Sequence, residues 1–212
     1  WWRGRFNLQP VGEARFDWTA ARKLVRIALP AVTEQGVVQI AFLAFFAIVA
    51  NYGTSAYAAY GIGISLVAFP IVVGFGFGIA TATLVGQQLG AGRPAQAMLI
   101  GWRSLRMALL AMITLSALMA WYARDLAAFM IDDPEVIDLT VGFIFIICLA
   151  QPMMAVDFAL AGALRGAGDT RFPLLATFVG IIFGRLLPAW LCVQFGLSVY
   201  WVFAVMLLDY LL

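Results

Sequence analysis

The sequence predicts an all-α polytopic membrane protein with six transmembrane helices, and three features carry that reading. Of its 212 residues, 64% are hydrophobic and 11% are charged, whereas soluble domains are roughly 45–50% apolar and about 25% charged. Mean hydropathy is +0.97. Apolar stretches near 24–50, 57–85, 98–122, 137–163, 172–193 and 197–212 each approach the ~20 residues that a hydrocarbon core requires. The basic residues, finally, gather in alternate gaps between those stretches.

Residues 1–23 form a polar, arginine-bearing lead-in without an apolar core of their own, so no cleavable signal peptide is expected. The transmembrane domain then runs over 24–212. Its first stretch stays apolar through Ala50 except for Glu34, Gln35 and Gln39 near its start. The second holds Pro70 and glycines that include Gly61, Gly63, Gly74 and Gly76, breakers that a membrane helix tolerates when neighbours satisfy the freed backbone groups. An acidic loop with Asp125, Asp132, Asp133, Glu135 and Asp138 separates the third and fourth stretches. Asp157 lies in the fourth, Arg185 and Pro188 in the fifth, and Asp209 near the end of the sixth, where it is expected to mark the interface. The gaps are short, which favours antiparallel neighbours. The chain stops at Leu212 inside its sixth stretch, as a fragment would.

Charge sets the expected orientation. Arg3, Arg5, Arg15, Arg22, Lys23 and Arg26 precede or open the first stretch; Arg93, Arg103 and Arg106 surround the second gap; Arg165 and Arg171 flank the fourth. The acidic loop opposite holds only Arg124. By the positive-inside rule both ends face the cytoplasm.

Composition also removes whole classes of function. A net charge of +2 is too small for a nucleic-acid partner, and the basic residues serve as topology signals. The absence of histidine excludes His-based zinc sites and Ser-His or Cys-His catalytic pairs. Cys148 and Cys192 fall in apolar stretches as small packing residues. No nucleophile–base or metal constellation suggests a membrane-embedded enzyme.

The intramembrane polar residues are the candidate site. Glu34 lies eight residues beyond Arg26, roughly 12 Å into the membrane at ~1.5 Å per residue. An ionised acid there costs roughly 2.5–3.5 kcal/mol unless paired or hydrated. Gln35 and Gln39 share a polar arc with it, expected to face the bundle interior. Asp157 repeats the pattern eight residues before Arg165, with Met153 and Met154 on its face. Carboxylates beside adaptable methionines suit a flat hydrophobic cation. The plainer alternative for each acid is a hydrogen bond to a neighbouring helix. Arg185 is expected to partner an acid or a carbonyl freed by Pro188, with substrate contact as the alternative. No other metal site or cofactor is expected; Na⁺ could bind at Glu34 or Asp157.

Two stretches echo each other: LVGQQLGAG (84–92) and LAGALRGAG (160–168). Each is followed by a proline, Pro94 or Pro173, which reads as two similar helix C-caps. Neither has the G-K-[ST] of a phosphate loop. Together with LVRIALPAVTEQ (24–35), ANYGTSAYAAYGIG (50–63), GIATATLVGQQLGAGRPAQA (78–97) and LAGALRGAGDTRFP (160–173), they make the chain resemble the multidrug and toxic compound extrusion (MATE) transporters. The resemblance covers roughly residues 16–212. It implies one lobe, the C-terminal one, of a twelve-helix transporter, with 1–23 as a cytoplasmic inter-lobe linker and an N-terminal lobe as the missing partner. Family members with carboxylates in this lobe carry them at positions matching Val38 and near Met154, each about one turn from Glu34 and Asp157. Tyr60 stands where many members have histidine.

The resemblance implies a secondary active antiporter of a plasma (bacterial inner) membrane. It would export cationic or amphipathic small molecules in exchange for H⁺ or Na⁺. The alternatives are a lipid-linked saccharide flippase, which wants a more cationic cavity than Arg185 alone supplies, and a non-transporting structural subunit.

Overall fold

The computed structural model describes residues 18–211, so most of the expected linker lies outside the described residues. Helices α1 (Trp18–Val49), α2 (Thr54–Gly90), α3 (Pro94–Trp121) and α5 (Pro134–Gly166) are long. Between the last two lies a short α4 (Ala123–Met130). A fifth crossing is built from α6 (Arg171–Val179), a π-helical segment (Gly180–Leu186) and α7 (Leu187–Gln194). Helix α8 (Val199–Asp209) closes the described chain. Five helical segments are long and apolar enough to cross a membrane, and α8 is a shorter apolar helix.

Two boundaries differ from expectation for physical reasons. Helix α1 already exists at Trp18, because Ala20, Ala21, Arg22 and Lys23 are good helix formers that continue the helix beyond the apolar stretch. Ala123–Met130, expected as loop, forms a one-sided helix whose Ala123 and Ala127 are buried and whose Phe129 is 91% exposed. Eight residues are too few to register as a span.

The echoed motif ends its helices as anticipated. Gly92 and Gly168 have φ of 71° and 90°. The Gly92 and Arg93 amides donate to Leu89 and Gln88 carbonyls at 3.0 and 2.9 Å, and those of Gly168 and Asp169 to Arg165 and Leu164 at 3.0 and 2.9 Å. Both are Schellman closures, in which a left-handed residue turns two amides back onto orphan carbonyls. Asp169 then starts α6, its Oδ1 accepting from the Arg171 and Phe172 amides at 3.0 and 3.1 Å. Asp133 Oδ1 likewise accepts from Glu135 N at 2.9 Å to start α5.

Other glycines of α2 and α5, Gly162 and Gly166 of the second motif among them, do something else. Helices α2 and α5 share the most extensive helix–helix contact, and they run parallel, with α3 and α4 between them in sequence. A Cβ on Gly63 would strike the Phe143 ring, one on Gly74 the Phe158 ring, one on Gly162 the Gly78 backbone, and one on Gly166 the Ala82 backbone. The register therefore holds from end to end. Small residues bring the two backbones together where lipid offers no competing hydrophobic drive. Helix α3 packs on this pair through Ala108 and Met112 against Met154, Ala155 and Ala159. On the other side Phe45, Tyr60, Phe143 and Phe203 join α1, α2, α5 and α8 in an aromatic cluster.

Hydroxyls in the apolar stretches mostly return to their own helix: Thr33 to the Leu29 carbonyl at 2.9 Å, Thr81 to Phe77 at 2.7 Å, Thr114 to Leu110 at 2.8 Å. Such back-bonding hides the donor from lipid.

Candidate functional site

Glu34 points inward. It is 6% exposed, and its Oε1 accepts from Arg165 Nη2 at 2.5 Å and from Thr177 Oγ1 at 3.5 Å. Three segments thus converge on one carboxylate: α1 supplies the acid, α5 the guanidinium and α6 the hydroxyl. The side chain of Arg165 is 29% exposed against 8% for Glu34, so the pair is buried at the acid end and open at the cation end.

Asp157 belongs to the same cluster. It is exposed, and the charges that act on it are those of Arg165, Glu34 and Asp209. The two candidate acids, far apart in sequence, are thus within electrostatic range of one arginine, Arg165, which is paired directly with Glu34 alone.

The remaining candidates separate. Gln35 and Gln39 are exposed on α1, so the polar arc does not face the bundle interior as expected. Once Glu34 is turned toward α5 and α6, residues one and five positions later lie about 100° and 140° around the helix. Met154 is 2% exposed and packs in the α3–α5 core with Ala108, Met112, Ala155 and Ala159. It is therefore not a flank of Asp157; Met153, half-buried, is the nearer to the surface of the two methionines. Helix α5 is covered on most sides, and a three-residue step is enough to pass from its open face to its packed one.

Arg185 has an acid partner, though not one named in advance. Its Nη2 lies 2.5 Å from Asp209 Oδ2, which moves Asp209 from an expected interface marker to an internal counter-ion. The guanidinium also sits 5.6 Å from the Phe42 ring centre and 5.8 Å from that of Tyr210, a geometry that favours a cation. Gly180 and Gly184 make the approach: a Cβ on Gly184 would lie 2.8 Å from the Asp209 Cα. The π-helical turn runs directly into α7 and ends two residues before Pro188. Proline lacks an amide proton and crowds the carbonyl one turn back, and a π turn absorbs that local mismatch.

Sequence reasoning missed Arg165, read only as a topology charge, and Thr177. A usable signal existed: Arg165 precedes Gly166, so it lies inside the helix that carries Asp157. It also missed Gln151, fully buried, whose Nε2 donates to Met119 Sδ at 3.4 Å while its Oε1 has no partner among the described residues. Among the described residues no three His, Cys, Asp or Glu cluster as metal ligands.

An apolar, small-residue helical bundle with charges paired inside it defines a polytopic integral membrane domain. The chain belongs to the MatE family, whose model matches residues 30–191. It is 30% identical over 188 residues to a probable multidrug resistance protein NorM of Thermotoga maritima, covering 87% of this chain and 40% of that protein. A probable multidrug resistance protein NorM of Brucella suis is 30% identical over 190 residues, again with 87% and 40% covered. The chain thus spans about 40% of the length of these relatives. Among solved structures, a MOP superfamily transporter from Pyrococcus furiosus superposes with a TM-score of 0.82 at 21% identity, over 88% of this chain and 41% of that one. A multidrug resistance MATE family transporter in an outward-facing conformation gives 0.82 and 21% over 88% and 42%. These likenesses show the fold of one lobe of a MATE transporter.

Proposed function

We propose that the chain is the C-terminal lobe of a secondary active antiporter that exports organic cations or other amphipathic compounds in exchange for H⁺ or Na⁺. Residues 1–23 link it to an N-terminal lobe, both ends lie in the cytoplasm, and the membrane is a plasma (bacterial inner) membrane. The observation that carries the reading is a buried carboxylate, Glu34, paired with Arg165 inside a membrane bundle, with Asp157 within electrostatic range of both. Acids at that depth rarely persist without a role in ion or substrate movement. The multidrug resistance relatives support export as the direction of transport.

Glu34 and Asp157 take up the coupling cation and the substrate alternately, so that loading one disfavours the other. Gln35 and Gln39, exposed on α1, offer hydrogen bonds to substrate on the lobe's open face. The flippase reading is weaker, because the charge of Arg185 is matched by Asp209 and leaves no surplus of positive charge for an anionic lipid carrier.

The test is ion-coupled efflux by the full-length protein in proteoliposomes. Glu34→Gln and Asp157→Asn should insert normally, and at least one should lose coupled transport together with its dependence on H⁺ or Na⁺. Two variants that pump like wild type would leave the acids as structural hydrogen-bond partners and remove the proposal.

A further inference from the structure

We infer that Arg165 is a built-in competitor at Glu34: its guanidinium holds the carboxylate until an incoming monovalent cation displaces it toward Asp157. The inference rests on the antiport reading above and assigns a positioning residue to it.

Three observations carry it. The contact is single, one Nη2 to one Oε1 at 2.5 Å, rather than the two-pronged fork that makes an arginine–carboxylate pair hard to separate. The cation end is accessible while the acid is not, at 29% against 8% of side-chain surface. A second carboxylate, Asp157, feels the same guanidinium, so Arg165 has somewhere to go without losing a counter-charge.

Arg185 shows what a fixed pair looks like in the same lobe. Its side chain is 5% exposed and that of Asp209 10%, and the guanidinium is held against Phe42 and Tyr210. Nothing there can exchange without opening the bundle. Arg165 lies instead next to the end of α5, followed by Gly166 and the turn at Gly168.

Charge counting then fixes the class of ligand. The groups touching Glu34 are Arg165 from α5 and the Thr177 hydroxyl from α6; Asp157 on α5 lies within electrostatic range, and Asp209 on α8, the further charge acting on Asp157, is neutralised by Arg185. Two carboxylates share one guanidinium, so the cluster is completed by one positive charge: a proton, Na⁺ or a singly charged organic cation. A divalent cation overshoots. When the cation arrives at Glu34, the guanidinium passes to Asp157; when it leaves, Arg165 returns and blocks the acid from standing empty in the membrane.

The experiment uses the full-length protein in proteoliposomes, titrating H⁺ and Na⁺ separately and reading the half-saturating concentration and the maximal rate. Removing the competitor in Arg165→Gln should lower the half-saturating concentration of the coupling cation by about tenfold, the effect of roughly one charge interaction at this range. The maximal rate should fall, because release is no longer assisted. Arg165→Lys, with a compact ammonium in place of the guanidinium, should move the same way by a smaller factor, and serves if the glutamine variant does not accumulate. Variants that fold less well but keep the wild-type half-saturating concentration would overturn the inference and make Arg165 a structural partner only. Glu34→Gln separates the two levels. If it leaves cation dependence intact, the antiport reading at this site fails; if it abolishes that dependence while the Arg165 variants stay unshifted, only the competitor role fails.

Discussion

Gly162 on α5 sits so close to Gly78 on α2 that a methyl group on it would come within 2.9 Å of the Gly78 Cα and closer still to the Gly78 carbonyl oxygen. Gly162→Ala must therefore push two long helices apart. Overpacking of this kind costs roughly 1–3 kcal/mol, and thermal unfolding of the full-length protein in detergent should show the loss. Gly76→Ala, on the same α2 but facing open space, should change stability by no more than about 1 kcal/mol, in the stabilising direction.

Breaking the Arg185–Asp209 pair from one side should be severe. Arg185→Met or Asp209→Leu alone leaves an unmatched buried charge, at a cost of about 3–5 kcal/mol. The double variant removes both charges and should recover most of the loss. Unfolding temperatures of the two singles and the double form the cycle that checks it.

Replacing Gly92 or Gly168 by alanine forces a Cβ into the left-handed region that both occupy. Each should destabilise by about 1–2 kcal/mol. Asparagine, which enters that region more readily, should lose less than alanine at either position, as seen in a detergent melting series.

The orientation has its own check. A reporter active only in the cytoplasm should give signal beside Arg93 and Asp169 and at both ends of the chain. It should be silent beside Asp133. Signal at Asp133 would invert the assignment of sides.

How much of this was legible in the chain varies with the physics involved. The helices and their ends were readable, because apolar length and glycine C-caps are local. The echo LxGxxxGAG announced two closures, and Gly92 and Gly168 make them. What it did not announce was that Gly162 and Gly166 of one copy would meet Gly78 and Ala82 on the other helix. A single strand of sequence states which residues are small, but not which helix will use that smallness, and antiparallel neighbours were the natural expectation. The acids were legible for the same reason as the spans, since charge in an apolar run stands out. Their partners were not. Arg165 and Asp209 lie near helix ends, where charges are ordinary, and only the fold shows that they turn inward. Gln35 and Gln39 are exposed on α1 because the face that carries Glu34, Ala41, Phe45 and Val49 is the buried one.

The parallel join of α2 and α5 has a mechanical consequence. Two backbones in contact along their length cannot slide or tilt separately, and with α3 packed against them they form a stiff keel. The two interior ion pairs tie other elements to it or to each other. One fastens α1 to α5, the other fastens the π-helical turn to α8. Damage to the keel should therefore be felt as a shortage of folded protein, whereas damage to the fastenings around Glu34 should leave protein in the membrane that no longer keeps time with its ion gradient.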